Sequence, residues 1–163
     1  MGNFREKNRE GIKEMQENSK ETTEIGSEMT EQADEINSIL ESIELQDEED
    51  VQAINDAGRS YQSSFDSAFS EQVESAGQEI EQQGEQLTET VNGELENVRN
   101  GIGQLEQAGS VSEIGRDAAD GAKSKLESSA GEYEGIISEA EGVVDETKQQ
   151  IESLKNNLSG IFG

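Results

Sequence analysis

Three features of this sequence predict an all-α fold of long helices. Apolar residues recur at helical spacing along most of the chain, no proline interrupts them, and each break in the periodicity carries a helix-capping signal. The phasing implies three helices, near residues 10–45, 48–107 and 111–159, joined by tight turns. Short connections make successive helices antiparallel, so the expected architecture is an elongated up-down-up antiparallel bundle or coiled coil, a single domain over 1–163.

In the first helix one register takes Ile12, Ser19, Gly26, Ala33 and Leu40, and a second takes Met15, Thr22, Met29, Ile36 and Ile43. This is a seven-residue repeat, polar at its start and apolar at its end. The pattern breaks at Leu45-Gln46-Asp47, where Asp47 is a good N-cap and Glu48, Glu49 and Asp50 place negative charge in the next first turn. That acidic run lacks the alternating oxygen ligands and glycine of a calcium loop, so it reads as a helix start.

The second helix carries Val51, Ile54, Gly58, Tyr61, Phe65 and Phe69, then Val73, Ala76, Ile80, Gly84, Leu87, Val91, Leu95, Val98, Ile102 and Leu105. From Val73 onward the steps alternate in an eleven-residue repeat, which favours straight or slightly right-handed packing. Glycines cluster near its end. Gly109 suits a C-terminal cap, and Ser110-Val111-Ser112-Glu113 is a capping-box pattern for the third helix. There one register is Tyr133, Ala140, Thr147, Leu154 and Ile161, and the other Ala130, Ile137, Val144, Ile151 and Leu158.

Leu, Ile, Val and Phe make up only 32 of the 163 residues, and the net charge is −26. That composition borders on disorder; the sustained phase of the few apolar residues argues for folding instead. Residues 21–115 hold 24 acidic groups against two basic ones, Arg59 and Arg99. Such a field repels nucleic acid and anionic membranes and favours a basic or neutral partner.

With no Cys and no His, the ordinary ligands of zinc, copper and iron are missing, as are Ser–His and Cys–His nucleophile pairs. Carboxylate pairs such as Asp117 with Asp120 abound, but acid–base chemistry needs one of them buried in a cleft, and chance pairing is expected among so many Glu. No enzyme activity, cofactor, metal or small-molecule substrate is therefore expected. Nowhere do 18 apolar residues follow one another, so no membrane span is encoded. The start, Met1-Gly2-Asn3-Phe4-Arg5-Glu6, lacks the apolar stretch of a signal peptide and has Glu6 where myristoylation needs Ser or Thr. The expected location is the cytoplasm, or outside the cell without a conventional signal.

Two apolar stripes are candidates for partner binding. Tyr61, Phe65 and Phe69 share one helix face and serve either as core or as a recognition stripe. Leu87, Val91, Leu95, Val98, Ile102 and Leu105 lie where the first helix is expected to have ended. The facing opening of the third helix is thin in large apolar residues, so this stripe is expected to stay exposed and mark a partner-binding or self-association end around 84–126. Gly26, Gly58, Gly77 and Gly84 fall on or near the seams, where they permit close approach or leave the helices adaptable; with so weak a core, adaptability is favoured.

Long Glu/Gln/Ser-rich helical hairpins without Cys or an apolar leader resemble the small helical proteins of bacterial type VII secretion, both the Trp-x-Gly hairpins and the helical partners of LXG-type toxins. The resemblance is one of style over the whole chain. The first turn is Leu45-Gln46-Asp47 in place of Trp-x-Gly, Tyr133 leads to Ile137 where an export tail has an acid, and Leu158-Ser159-Gly160 spells Leu-x-Gly near the end of the chain. It implies a partner or chaperone of a secreted toxin, packing helix against helix. The alternative is a structural or signalling coiled-coil rod or spacer that self-associates.

Overall fold

The computed structural model describes residues 2–43, 47–108 and 113–163. Every regular element among them is helical, as the phasing predicts. Helix α1 spans Gly2–Ser42 and α2 spans Glu48–Phe69; a π-helical turn, Ser70–Glu74, leads into α3, Ser75–Ala108, and α4 spans Glu113–Phe162. α1 starts well before the expected residue 10. Asp47 caps α2 as expected, its carboxylate accepting from the Glu49 amide at 3.1 Å. The Leu45-Gln46 break and the Ser110-Val111-Ser112 capping pattern lie outside the described residues.

The π turn follows from the spacing of the core residues. Tyr61, Phe65, Phe69 and Val73 are separated by four residues each time. Over the eight steps from Phe65 to Val73, an ideal α-helix would carry the side chain about 80° past its starting face. The π turn inserts one extra residue and takes up about that angle. Its signature is the Ser75 amide donating to the Ser70 carbonyl, five residues back, with the Ser75 hydroxyl on the same oxygen at 3.1 Å. Phe65, Phe69 and Val73 are thereby all buried.

The chain divides into two compact units, each containing part of α1, α3 and α4. The first comprises Met1–Gln16 and Gln82–Val143. Its buried set includes Ile12, Met15, Val91, Leu95, Val98, Ala119, Tyr133, Ile136 and Ala140. Phe4 meets Tyr133 edge-on at 5.4 Å, beside an Arg5–Glu132 ion pair. Arg99–Glu134 at 3.0 Å and Lys123–Glu106 at 2.8 Å pair rising numbers on α3 with falling numbers on α4, so those helices are antiparallel. Burial pushes the Tyr133 hydroxyl pKa up, and nearby Glu94 adds to the effect.

The second unit comprises Glu17–Glu81 and Val144–Gly163. Its core is Ala33, Phe65, Phe69, Val73, Leu154 and Leu158, with Phe162 edge-on to Phe65 at 5.4 Å. Ser19 Oγ lies 2.5 Å from Thr147 Oγ1, and Thr23 Oγ1 donates to Gln150 Oε1 at 2.7 Å. These pairs rise together in number, so α1 and α4 are parallel. Lys148–Glu81 and Lys155–Glu74 set α4 antiparallel to the helical run opposite it. Within this unit the order is up-down-up.

The seam of α1 matches the sequence expectation: Ile12, Met15, Ser19, Thr22, Gly26 and Ala33 are all buried. In α4 one register needs correction. Tyr133, Ala140, Thr147 and Leu154 are buried and Ile161 is half-buried; of the second register Leu158 is buried, but Ala130, Ile137, Val144 and Ile151 are half-buried on the flank, and Ser129, Ile136 and Val143 are buried in their place. A helix touching two neighbours buries a wider face than a two-stranded seam does, and the expected second register is the edge of that face until Leu158, which lies in the core.

The glycines correct a second expectation. A Cβ at Gly26 would sit 2.5 Å from Leu154 Cδ1, and one at Gly77 would collide with Ile151 Cδ1. Gly11 and Gly101 likewise face Leu87 Cδ1 at 3.0 Å and Leu126 Cδ1 at 3.2 Å. These glycines admit branched side chains from a neighbouring helix, so close approach, rather than adaptability, is their role at Gly26 and Gly77.

Two measurements check this packing. An added methyl group would meet only open space at Gly131, Gly135 and Gly142, so replacing each by Ala should raise stability by up to about 1 kcal/mol in urea unfolding. Gly26→Ala and Gly77→Ala should gain nothing or lose stability, because buried neighbours must shift. The second unit carries four basic against 22 acidic groups, so its repulsion outweighs its few ion pairs. Raising salt from about 0.01 M to about 1 M, which shortens the Debye length from about 30 Å to about 3 Å, should raise the Tm.

Candidate interaction site

The seam of α1 changes character along its length. After the buried Ile12 and Met15, its buried positions in the middle of the helix are small or polar: Ser19, Thr22, Gly26 and Ala33. Toward its end the seam positions become Ile36, Leu40 and Ile43, which are half-buried or exposed. Phe162 lines a cleft with Leu40, Ile54, Gly58 and Tyr61, and Leu40 Cδ1 lies 3.5 Å from where a Gly58 Cβ would be. Past this level the described residues form a two-helix hairpin.

That hairpin carries the exposed large apolar side chains found among the described residues: Ile39 at 60%, Val51 at 41% and Ile43 at 38% exposure. Two helices cannot bury three faces, so the third side of the seam meets solvent. The polar surroundings are one-signed. Residues 34–58 contain nine Asp or Glu and no Lys or Arg. Asp47 and the Glu48–Asp50 run are placed there by the α2 start, where the helix dipole favours negative charge. Arg59 stands at the margin of the cleft, 3.9 Å from Asp56. Burial pushes the Tyr61 hydroxyl above the ordinary 10.0, so it remains a neutral hydrogen-bonding group across the physiological range.

The stripes singled out in the sequence lie elsewhere or inside. Phe65 and Phe69 are core residues, at 6% and 3% exposure, and only Tyr61 of that set reaches the cleft, half-buried. Val91, Leu95 and Val98 are buried, and Leu87, Ile102 and Leu105 are half-buried. The expected exposed stripe around 84–126 is therefore not found. One reason is that α1 begins at Gly2, so Phe4, Asn8 and Gly11 lie along the groove with Leu87 and Thr90. Another is that the thin face of α4 hides α3 by proximity. Gly101 admits Leu126, Ala119 is buried, and Lys123 bridges to Glu106. The apolar overhang lies instead on the α1–α2 hairpin, and the sequence signal that marks it is the enlargement of the α1 seam from Ile36 to Ile43.

Among the described residues no three Asp or Glu are grouped to hold a metal ion, and no helix is long and apolar enough to cross a membrane. Asp117 and Asp120 are exposed on α4.

Leu95→Glu distinguishes core from surface. Placing a charge at a position 3% exposed should cost more than about 3 kcal/mol and lower helicity by circular dichroism. An intact, fully helical variant would return Leu95 to the surface. No family model, curated protein or solved structure matches this chain.

Proposed function

We propose that the chain is a non-enzymatic interaction protein that takes a helix of another protein against the α1–α2 hairpin. The observation that carries this reading is that Ile39 and Ile43 near the end of α1 and Val51 near the start of α2 are large, apolar and exposed. Large apolar side chains exposed on a polar surface mark interaction sites, and packing against a helix is how apolar side chains elsewhere in this unit are buried. The resemblance to type VII secretion proteins makes a secreted toxin with a helical segment the natural partner.

The test is affinity capture from the source cell with wild type and with an Ile39→Glu/Ile43→Glu variant, followed by identification of the retained protein. Because both positions are exposed, the variant should keep its helicity and its Tm. It should lose a helical partner that wild type retains by at least about tenfold in yield, the scale of 1.4 kcal/mol. Equal retention by both proteins would remove the hairpin as the docking site.

A further inference from the structure

We propose that the groove between α1 and α3 in the first unit receives the same groove of a second copy of this chain, with the two α1 helices crossing antiparallel near Gly11. The surface is separate from the α1–α2 hairpin, and the inference stands or falls without it. On the α1 side the groove is lined by Lys7, Gly11 and Glu14, and on the α3 side by Gln83, Gln86 and Thr90. All of these but the half-buried Gly11 are exposed. Phe4 and Leu87, both half-buried, supply apolar surface within it. Gly11 keeps the middle of the groove open, since a Cβ there would project to within 3.0 Å of Leu87 Cδ1.

Charge makes this the place where two copies repel each other least. Residues 1–16 hold four basic groups, Arg5, Lys7, Arg9 and Lys13, and three acidic ones, Glu6, Glu10 and Glu14, against 12 and 38 in the whole chain. The α3 side of the groove, Gln83, Gln86 and Thr90, is uncharged.

The order of charge along α1 selects the occupant. Lys7 and Glu14 are seven residues apart, which is two turns, so they share a helix face with Gly11 between them. In an antiparallel pair centred near Gly11, Lys7 of each copy lies beside Glu14 of the other. Two opposite-charge pairs form, related by a two-fold axis, which is the self-matching pattern of a closed dimer. A parallel pair would instead oppose Lys7 to Lys7 and Glu14 to Glu14, and like charges across an interface are repulsive. A partner helix of uniform charge would satisfy one of the two residues and repel the other.

The test is sedimentation equilibrium of the full chain at about 0.15 M salt, where exposed charges more than about 8 Å apart are largely screened. Wild type should pass from monomer to dimer as its concentration rises to about 1 mM. Lys7→Glu sets Glu against Glu and Glu14→Lys sets Lys against Lys, so each should weaken dimerisation by about tenfold or more. Glu14→Lys also lowers the overall negative charge, so a general charge effect would strengthen association where groove pairing weakens it. The double variant Lys7→Glu/Glu14→Lys restores opposite charges and should dimerise like wild type. An equimolar mixture of the two single variants should form a heterodimer, although neither dimerises well alone. Both positions are exposed, so circular dichroism should show wild-type helicity throughout.

A wild type that stays monomeric up to about 1 mM overturns the inference and leaves the groove to a helix of another protein. Dimerisation untouched by either single variant places the contact elsewhere and overturns it as well. Loss in both single variants, with no recovery in the double variant or in the mixture, rules out the antiparallel crossing and the second copy with it.

Discussion

The scarcity of large apolar side chains sets the terms for everything else in this molecule. With Leu, Ile, Val and Phe at 32 of 163 residues, a helix cannot cover its neighbours by bulk. It covers them by coming close, and that requires positions without side chains. Gly26, Gly77, Gly11 and Gly101 each receive a δ-methyl of Leu or Ile from the helix opposite. Each of those glycines forgoes about 1 kcal/mol of helix propensity relative to Ala. The loss is offset by dispersion contacts and by burial of a branched side chain, of the order of 1.5–3 kcal/mol for a side chain fully removed from water.

A core so short of apolar volume must also accommodate polar groups, and it uses them to define register. Ser19 faces Thr147, and Thr23 reaches Gln150, between parallel helices that could otherwise slide by a heptad. Sliding would separate these partners and leave buried hydroxyls unpaired, at about 1–3 kcal/mol each. Ion pairs between separate helices, five among the described residues, point the same way without contributing much individually, since most are well exposed.

Much of this is legible in the sequence because helix phase is a local property. The seam from Ile12 to Ala33 and the Asp47 cap depend only on spacing and residue type, and both take the form the spacing predicts. Depth of burial is a property of neighbours, and a linear pattern does not carry it. Leu95 and Val98 look exposed in the sequence because the facing residues are Ala and Gly; small residues suggest poor cover, when in fact they permit contact. Phe4 and Phe162 lie outside the clean repeats, so phase gives neither a place in the core, although one rests on Tyr133 and the other on Phe65. The π turn is present in the spacing of Tyr61, Phe65, Phe69 and Val73, but a run of fours invites extension of the pattern rather than a question about accumulated angle. The growth of the α1 seam from Ile36 toward Ile43 is legible too, although the exposure of Ile39 and Ile43 is not.

The π turn also decides which changes of length this helical run absorbs. In a regular helix a lost or gained residue turns everything after it by about 100°. Here one surplus residue is already taken up between Phe69 and Ser75, so losing a residue there would leave a regular α-helix with Val73 and Ile80 still directed at the core. The damaging change is the opposite one. If the turn tightened to regular α-helix with every residue kept, Val73 and Ile80 would swing toward solvent and polar neighbours toward the core. The segment thus behaves like a chain with one spare link, forgiving of a loss at this point and dependent on the slack it holds.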